Sequence, residues 1–185
     1  MTPIKAPRFD CFDIEATNLK ANFGHMLCVC FVPLHSQDVV VFRLDDKKYK
    51  PKKPYDDSKL AEAVKEYMED SFCWISWYGK MFDVPFINTR LLLADRDPLQ
   101  KRMHIDLLYY SRKPNLALHS SRLDAVAKTF NFADQKTDLN PAIWNAAQAL
   151  EQDAMDYVVE HCIQDVKVLQ EAFAILQPFI KNVHY

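Results

Sequence analysis

The order in which hydrophobic periodicities occur along the chain limits its fold more than any single residue does. Phe9 to Ile14 and Leu27 to Val32 are short apolar runs rich in β-formers, followed by Val39-Val40-Val41-Phe42, and each is bounded by turn residues or charge. They read as three opening strands in a meander. From Ser58 onward Leu60, Ala63, Val64, Tyr67 and Met68 recur at helical spacing, with Asp57 or Ser58 able to cap the start. Phe72-Cys73-Trp74-Ile75-Ser76-Trp77 is a compact apolar run suited to a buried strand. Helical spacing returns from Phe86 to Ala94 behind Pro85, a good first-turn residue, so that Asp83 is expected at a strand exit. From about Asp106 the chain reads as mainly helical: Leu123 to Phe130, a short helix opened by Pro141, and a long one from Leu150 to Leu176. Strands early, helices late and one β-to-α step between them predict an α/β fold, a mixed β-sheet flanked by helices.

With 185 residues and 49% hydrophobic content, one globular domain spanning residues 1–185 can bury a core without disulfide or metal staples. The net charge of -2 excludes a chain-wide positive field of the kind that holds long nucleic acid non-specifically. Any contact with nucleic acid must therefore be local. A metal enzyme acting on a phosphodiester end meets that condition, because divalent ions bring positive charge to the point of contact. The segment from Asp45 to Asp57 is rich in lysine and proline and reads as an exposed loop, either a solvated connector or a local basic contribution.

The five cysteines, Cys11, Cys28, Cys30, Cys73 and Cys162, are odd in number and sit inside apolar runs, with neither CxxC nor paired Cys/His zinc spacing. They read as small buried hydrophobes of a reducing, cytoplasmic compartment. The longest apolar stretch, Met26 to Leu34, is about nine residues where a membrane helix needs about twenty, and the start of the sequence has no signal-peptide pattern. A soluble intracellular protein without a membrane partner is expected.

Three segments carry carboxylates in places that bear on chemistry. In Phe9-Asp10-Cys11-Phe12-Asp13-Ile14-Glu15, residues two apart project to the same face of a strand, so Asp13 and Glu15 stand side by side at the end of an apolar run. Two adjacent carboxylates repel unless a cation neutralises them, and hard oxygen ligands favour Mg²⁺ or Mn²⁺ over zinc. On its own the pair also fits a solvent-exposed strand end. Asp83 lies between a buried strand and a helix, where it fits an ordinary helix N-cap equally well. On the last helix Val158, Cys162, Val166, Leu169, Phe173 and Leu176 form an apolar stripe, and His161 and Asp165, four apart, lie on its edge. That pair also fits a helix-surface contact.

In this order the three segments resemble the exonuclease motifs of the DEDD superfamily, the proofreading and RNA-trimming 3′-5′ exonucleases of ribonuclease-H-like fold. Asp13-Ile14-Glu15-Ala16-Thr17-Asn18-Leu19 resembles the first motif, Gly79-Lys80-Met81-Phe82-Asp83-Val84-Pro85 the second, and His161-Cys162-Ile163-Gln164-Asp165-Val166 the third. Together they cover nearly the whole chain. There are two departures. The family's water-orienting residue is Tyr four before the last Asp or His five before it, whereas here those positions hold His161 and Glu160. The i,i+4 geometry favours His161 in the Tyr slot. Tyr78 stands where many relatives have Asn before Gly.

The resemblance implies two Mg²⁺ or Mn²⁺ ions held by Asp13, Glu15, Asp83 and Asp165, about 3.5 to 4 Å apart, that clamp an in-line displacement. His161 would be the general base, since an imidazole ordinarily titrates near 6.5. Ala16, Thr17 and Leu19 would line the terminal nucleotide. Trp77, Tyr78, Tyr109 and Tyr110 could stack on bases or simply fill the core. Asp106 reads as a helix cap or buried acceptor and not as a fifth ligand. The implied substrate is the 3′ end of single-stranded DNA or RNA, DNA slightly favoured, and a separate polymerase is a conceivable partner. An inactive binding module of the same fold would have no reason to keep all four carboxylates, and an endonuclease of this fold would differ in its products. A Cys162-His161 hydrolase fails because adjacent helix residues point about 100° apart.

Overall fold

The computed structural model describes residues 6–133 and 141–181. A five-stranded sheet lies at its centre, in the order β3-β2-β1-β4-β5. Strands β1 (Phe9–Ala16), β2 (Met26–Pro33) and β3 (Val40–Arg43) form the expected antiparallel meander, while β4 (Cys73–Ser76) and β5 (Met103–Asp106) run parallel to β1. Helix α1 (Ser58–Glu69) leads from β3 to β4, and α2 (Asp83–Leu93) leads from β4 to β5. The short α3 (Leu107–Tyr110), α4 (Leu123–Phe130), α5 (Pro141–Gln148) and the long α6 (Gln152–Leu176) follow.

Each sheet face buries its own core, which is why alternate residues of β1 are apolar on both sides. Phe12 and Ile14 join Val29, Phe31 and Trp74 beneath α1 and α2, packed on Leu60, Val64, Met68, Ile87 and Leu91. Cys11 faces the other way, with Cys28, Cys30, Ile75 and Ile105, under the α6 stripe of Val158, Cys162, Val166 and Leu169. The result is helix, sheet, helix in three layers. All five cysteines are free and buried. No described helix is long and apolar enough to cross a membrane.

Three local expectations are corrected. Strand β5 lies just before the stretch that reads as helical from about Asp106, in residues to which the sequence assigns no element, because an imidazole, His104, in a four-residue run hides the signature of a buried parallel strand. The ring is accommodated by a 2.7 Å hydrogen bond between its Nε2 and Ser76 Oγ on β4, and by Trp74 and Phe12 packed against it. Asp57 stands at the N-cap of α1 but makes no side-chain cap. It is buried and instead accepts from the Met26 amide at 2.8 Å and from Arg90 Nε at 2.9 Å, a charge-assisted bond that outweighs a cap. Arg90 also donates to the carbonyls of Ala21 and Tyr55, so one guanidinium ties α2 to two loops. Finally, α2 opens at Asp83 itself, with Phe82 as its N-cap residue, so Asp83 lies in the first turn and not on the strand exit.

Burial holds His104 neutral, pushing its pKa down to about 3. The unfolded chain takes up that proton near pH 6.5, so stability is complete above about 6.5 and is lost as the pH falls toward 3, by about 1.4 kcal/mol per unit. His25 is lowered by burial as well and adds in the same direction. In urea unfolding between about pH 7.5 and pH 5, His104→Asn should show a clearly shallower loss of stability than the wild-type chain. An unchanged slope would show that His104 is not held neutral.

Candidate active site

The sheet changes from antiparallel to parallel pairing at β1, and in open α/β sheets a crevice forms at the carboxyl ends of strands beside such a switch. The end of β1 carries Asp13 and Glu15, opposite Cys30 and Cys28 of β2, and a register irregularity falls between Glu15 and Ala16. Pairing of β4 with β1 extends only to Cys11. Beyond that point Asp83 takes over: its Oδ1 accepts from the Ile14 amide at 3.2 Å, which brings the first turn of α2 to the backbone between Asp13 and Glu15. A carboxylate in the first turn of a helix also meets the positive end of its dipole.

Helix α6 closes the other side. Cys162 is fully buried, with Sγ 3.4 Å from the Asp13 carbonyl and 3.9 Å from its Oδ2, so a small thiol lets the helix approach the strand closely. The neighbouring turn then places His161 Nε2 3.5 Å from Glu15 Oε1 and 3.8 Å from Asp165 Oδ2, with His161 and Asp165 both buried. Glu160 lies on the exposed side and accepts from Gln164 at 2.9 Å. The position four before Asp165 thus faces the carboxylates, and the position five before faces solvent.

The loop between β4 and α2 is held by Asp106, which is buried and accepts from the amides of Tyr78 at 2.8 Å, Lys80 at 3.1 Å and Leu108 at 3.2 Å. Asp106 therefore serves as the acceptor and cap that its position suggested. Tyr78 is left-handed, with φ 69°. A tyrosine rarely adopts that conformation, which the hydrogen bond from its amide to Asp106 holds in place. Gly79 follows because space demands it: a Cβ there would overlap Ser76 Oγ and lie 3.3 Å from Asp83 Oδ2.

Of the residues expected along the substrate, Leu19 (79% exposed) and Tyr78 (46% exposed) reach the surface. Ala16 is buried, and the Thr17 hydroxyl accepts from the His25 amide at 3.0 Å and lies 3.3 Å from His25 Nδ1. Tyr109 is exposed, whereas Trp77 is partly buried, its Nε1 donating to the Ser121 carbonyl at 3.2 Å. A cleft of about 510 Å³ opens beside Asp13 and Asp165 and is walled by Trp77, Tyr78, Arg112 and Arg122. A smaller groove of about 240 Å³ runs along Leu19, Met81, Phe82 and Phe86. A concavity of about 540 Å³ at the opposite end of β1 holds none of these carboxylates, and its Arg8 is engaged by Asp10 and Asp70.

The donor set fits a divalent cation. Ligand atoms of Glu15, His161 and Asp165 lie within 4.8 Å of one another, and their oxygen-rich chemistry suits a hard ion. The thiols of Cys28, Cys30 and Cys162 are equally close together, but they are core groups. Burial pushes the Cys162 thiol well above its ordinary range, helped by Cys28 and Asp13, so it supplies no thiolate nucleophile.

Residues 11–177 match the RNase H superfamily. The chain belongs to that superfamily. No curated protein matches it by sequence. A structure similar to it is that of the family B DNA polymerase from the hyperthermophilic archaeon Pyrobaculum calidifontis, at 17% identity and a TM-score of 0.70. The match covers 95% of this chain and 25% of that polymerase, so this chain spans about a quarter of its length. The acidic cluster of Glu15, His161 and Asp165 lies within the residues that match the superfamily.

Arg112 and Arg122 were not singled out by the sequence, because two arginines in an irregular connection carry no periodic or motif signal. Gly79→Ala should lower stability by about 1 to 3 kcal/mol through overpacking. Urea unfolding measures this, and a substitution within about 0.5 kcal/mol of wild type would disprove the steric demand.

Proposed function

We propose that the chain is a single 3′-5′ exonuclease domain over residues 1–185, hydrolysing phosphodiester bonds at the 3′ end of single-stranded nucleic acid and releasing nucleoside 5′-monophosphates. The observation that carries this reading is the seating of the His161 imidazole between Glu15 and Asp165, beside Asp13 and with Asp83 bonded to the same strand. A binding module would have no use for that concentration of acid at a buried edge. Asp13, Glu15, Asp83 and Asp165 would hold two Mg²⁺ or Mn²⁺ ions. Bound there, the ions would polarise the scissile phosphate and neutralise charge on the attacking and departing oxygens.

The remaining work falls to the chain's own groups. His161 takes a proton from the attacking water, and Glu15 and Asp165, 3.5 and 3.8 Å from its Nε2, stabilise the imidazolium that results. Buried Asp106 fixes the loop that sets Asp83 and Tyr78 in place. Leu19 is exposed for contact with the terminal nucleotide, and Tyr78 is exposed for stacking on a base. Ala16 and Thr17 contribute backbone there, since their side chains are engaged in the fold. DNA is slightly favoured over RNA as substrate, and a separate polymerase remains the natural partner to test.

Digestion of matched DNA and RNA single strands with Mg²⁺ or Mn²⁺, labelled at either end, tests the direction. The 3′ label should leave at once as mononucleotide, while the 5′ label shortens stepwise. Internal fragments at first sampling would instead identify an endonuclease. Asp13→Ala and Asp165→Ala should be inactive, and retained nucleotide release by either would overturn the ligand assignment. His161→Gln should lower kcat by about 10² to 10⁴. A change below threefold would remove His161 as the base.

A further inference from the structure

Two concavities of unlike chemistry flank the carboxylates. The smaller groove is lined mainly by apolar side chains, Leu19, Met81, Phe82 and Phe86, with Lys20, Asn22 and Thr89 also in its lining. Phe82 immediately precedes Asp83, so this groove borders the site on the α2 side. The larger cleft reaches Asp13 and Asp165 themselves, and its lining also includes Arg112, Arg122, Asp124, Trp77 and Tyr78. Arg122 is 83% exposed and pairs with Asp124 at 3.3 Å, while Arg112 makes no ion pair among the described residues.

The two halves of a 3′-terminal substrate differ in the same way. On the 3′ side of the scissile phosphate the terminal residue offers one base, one sugar and no further phosphate, which a mainly apolar groove of about 240 Å³ suits. The rest of the strand carries one negative charge per nucleotide and needs cations and flat aromatic surfaces. In a chain of net charge -2 such cations must be placed locally, and next to Asp13 and Asp165 they are Arg112 and Arg122.

We infer that Arg112 and Arg122, on the connection between α3 and α4, grip the phosphates upstream of the scissile bond, and that Tyr78 stacks on an upstream base. The inference rests on the exonuclease reading above, and it assigns the polarity of the strand across the site. Arg112 and Arg122 are positioning residues in this role. They govern how tightly a strand is held and leave the small apolar groove to the terminal base.

Binding of a 5′-fluorescent oligothymidylate to the full chain, with Ca²⁺ replacing Mg²⁺, is measured by anisotropy over a salt series. The Arg112→Ala/Arg122→Ala chain should bind at least tenfold more weakly. Its slope of log K against log salt should fall by about 1.4, two contacts at about 0.7 each on a single strand. Arg112→Lys/Arg122→Lys should restore most of the slope. In a second arm, the ratio of kcat/KM on the oligonucleotide to that on the p-nitrophenyl ester of thymidine 5′-monophosphate should drop at least tenfold in the alanine chain.

An unchanged salt slope, or equal loss on both substrates, overturns the proposal, since equal loss would place the arginines at the terminal nucleotide. If the wild-type chain cleaves neither substrate, the exonuclease reading fails while the anisotropy series still decides the role of the arginines. Circular dichroism melting shows whether each variant is folded before it is counted.

Discussion

The approach of α6 to the end of β1 is the contact on which the site depends. Cys28 and Cys30 on β2 and Cys162 on α6 are small enough for the helix to come within 3.4 Å of the Asp13 carbonyl. A larger residue at Cys162 would push the helix out and separate His161 and Asp165 from Glu15. The thiols thus act by volume. Their burial removes them from chemistry, and the same burial brings the neighbouring imidazole and carboxylates into one cluster.

That cluster has an electrostatic cost that shapes its surroundings. Acidic groups collected at a partly buried edge repel one another, and three of the arginines are directed elsewhere: Arg90 to Asp57, Arg8 to Asp10 and Asp70, Arg43 to Asp45 and Asp156. Partial relief comes from hydrogen bonding and dipoles, as when Asp83 accepts the Ile14 amide at the start of α2. An edge built in this way favours external cations. The loop from Trp77 to Phe82 is held to the same standard of rigidity, with Asp106 and Ser76 Oγ taking its amides and Gly79 leaving room for both Ser76 and Asp83.

Most of the architecture was legible because periodicity survives wherever one face of an element is buried. The meander, the β4-to-α2 step and the α6 stripe all follow from such patterns. What escaped were places where a polar residue is satisfied by a distant partner. His104 breaks the apolar run of β5 until Ser76 is known to face it, and Asp57 reads as a cap until Arg90, far along the chain, is seen to claim it. In the site, Asp13, Glu15, Asp83, His161 and Asp165 could be picked out since they sit in ordered motifs. Thr17 shows the limit of such reading: the motif marks it for substrate, yet its hydroxyl closes the β1-β2 turn onto His25.

Charge distribution explains why a nearly neutral chain can still be suited to a polyanion. A protein that held nucleic acid by net charge would bind duplex and single strand alike along its length. Among the described residues, the cleft that reaches Asp13 and Asp165 carries two arginines from the connection between α3 and α4, while the groove beside Phe82 is mainly apolar with Lys20 in its lining. An arrangement with one cationic side and one apolar side distinguishes a chain end from a chain interior, because only an end presents a nucleoside with no phosphate beyond it. On the exonuclease reading proposed above, the asymmetry of the two concavities would suit a strand end, a ground separate from the carboxylates, which a hydrolase of either kind could share.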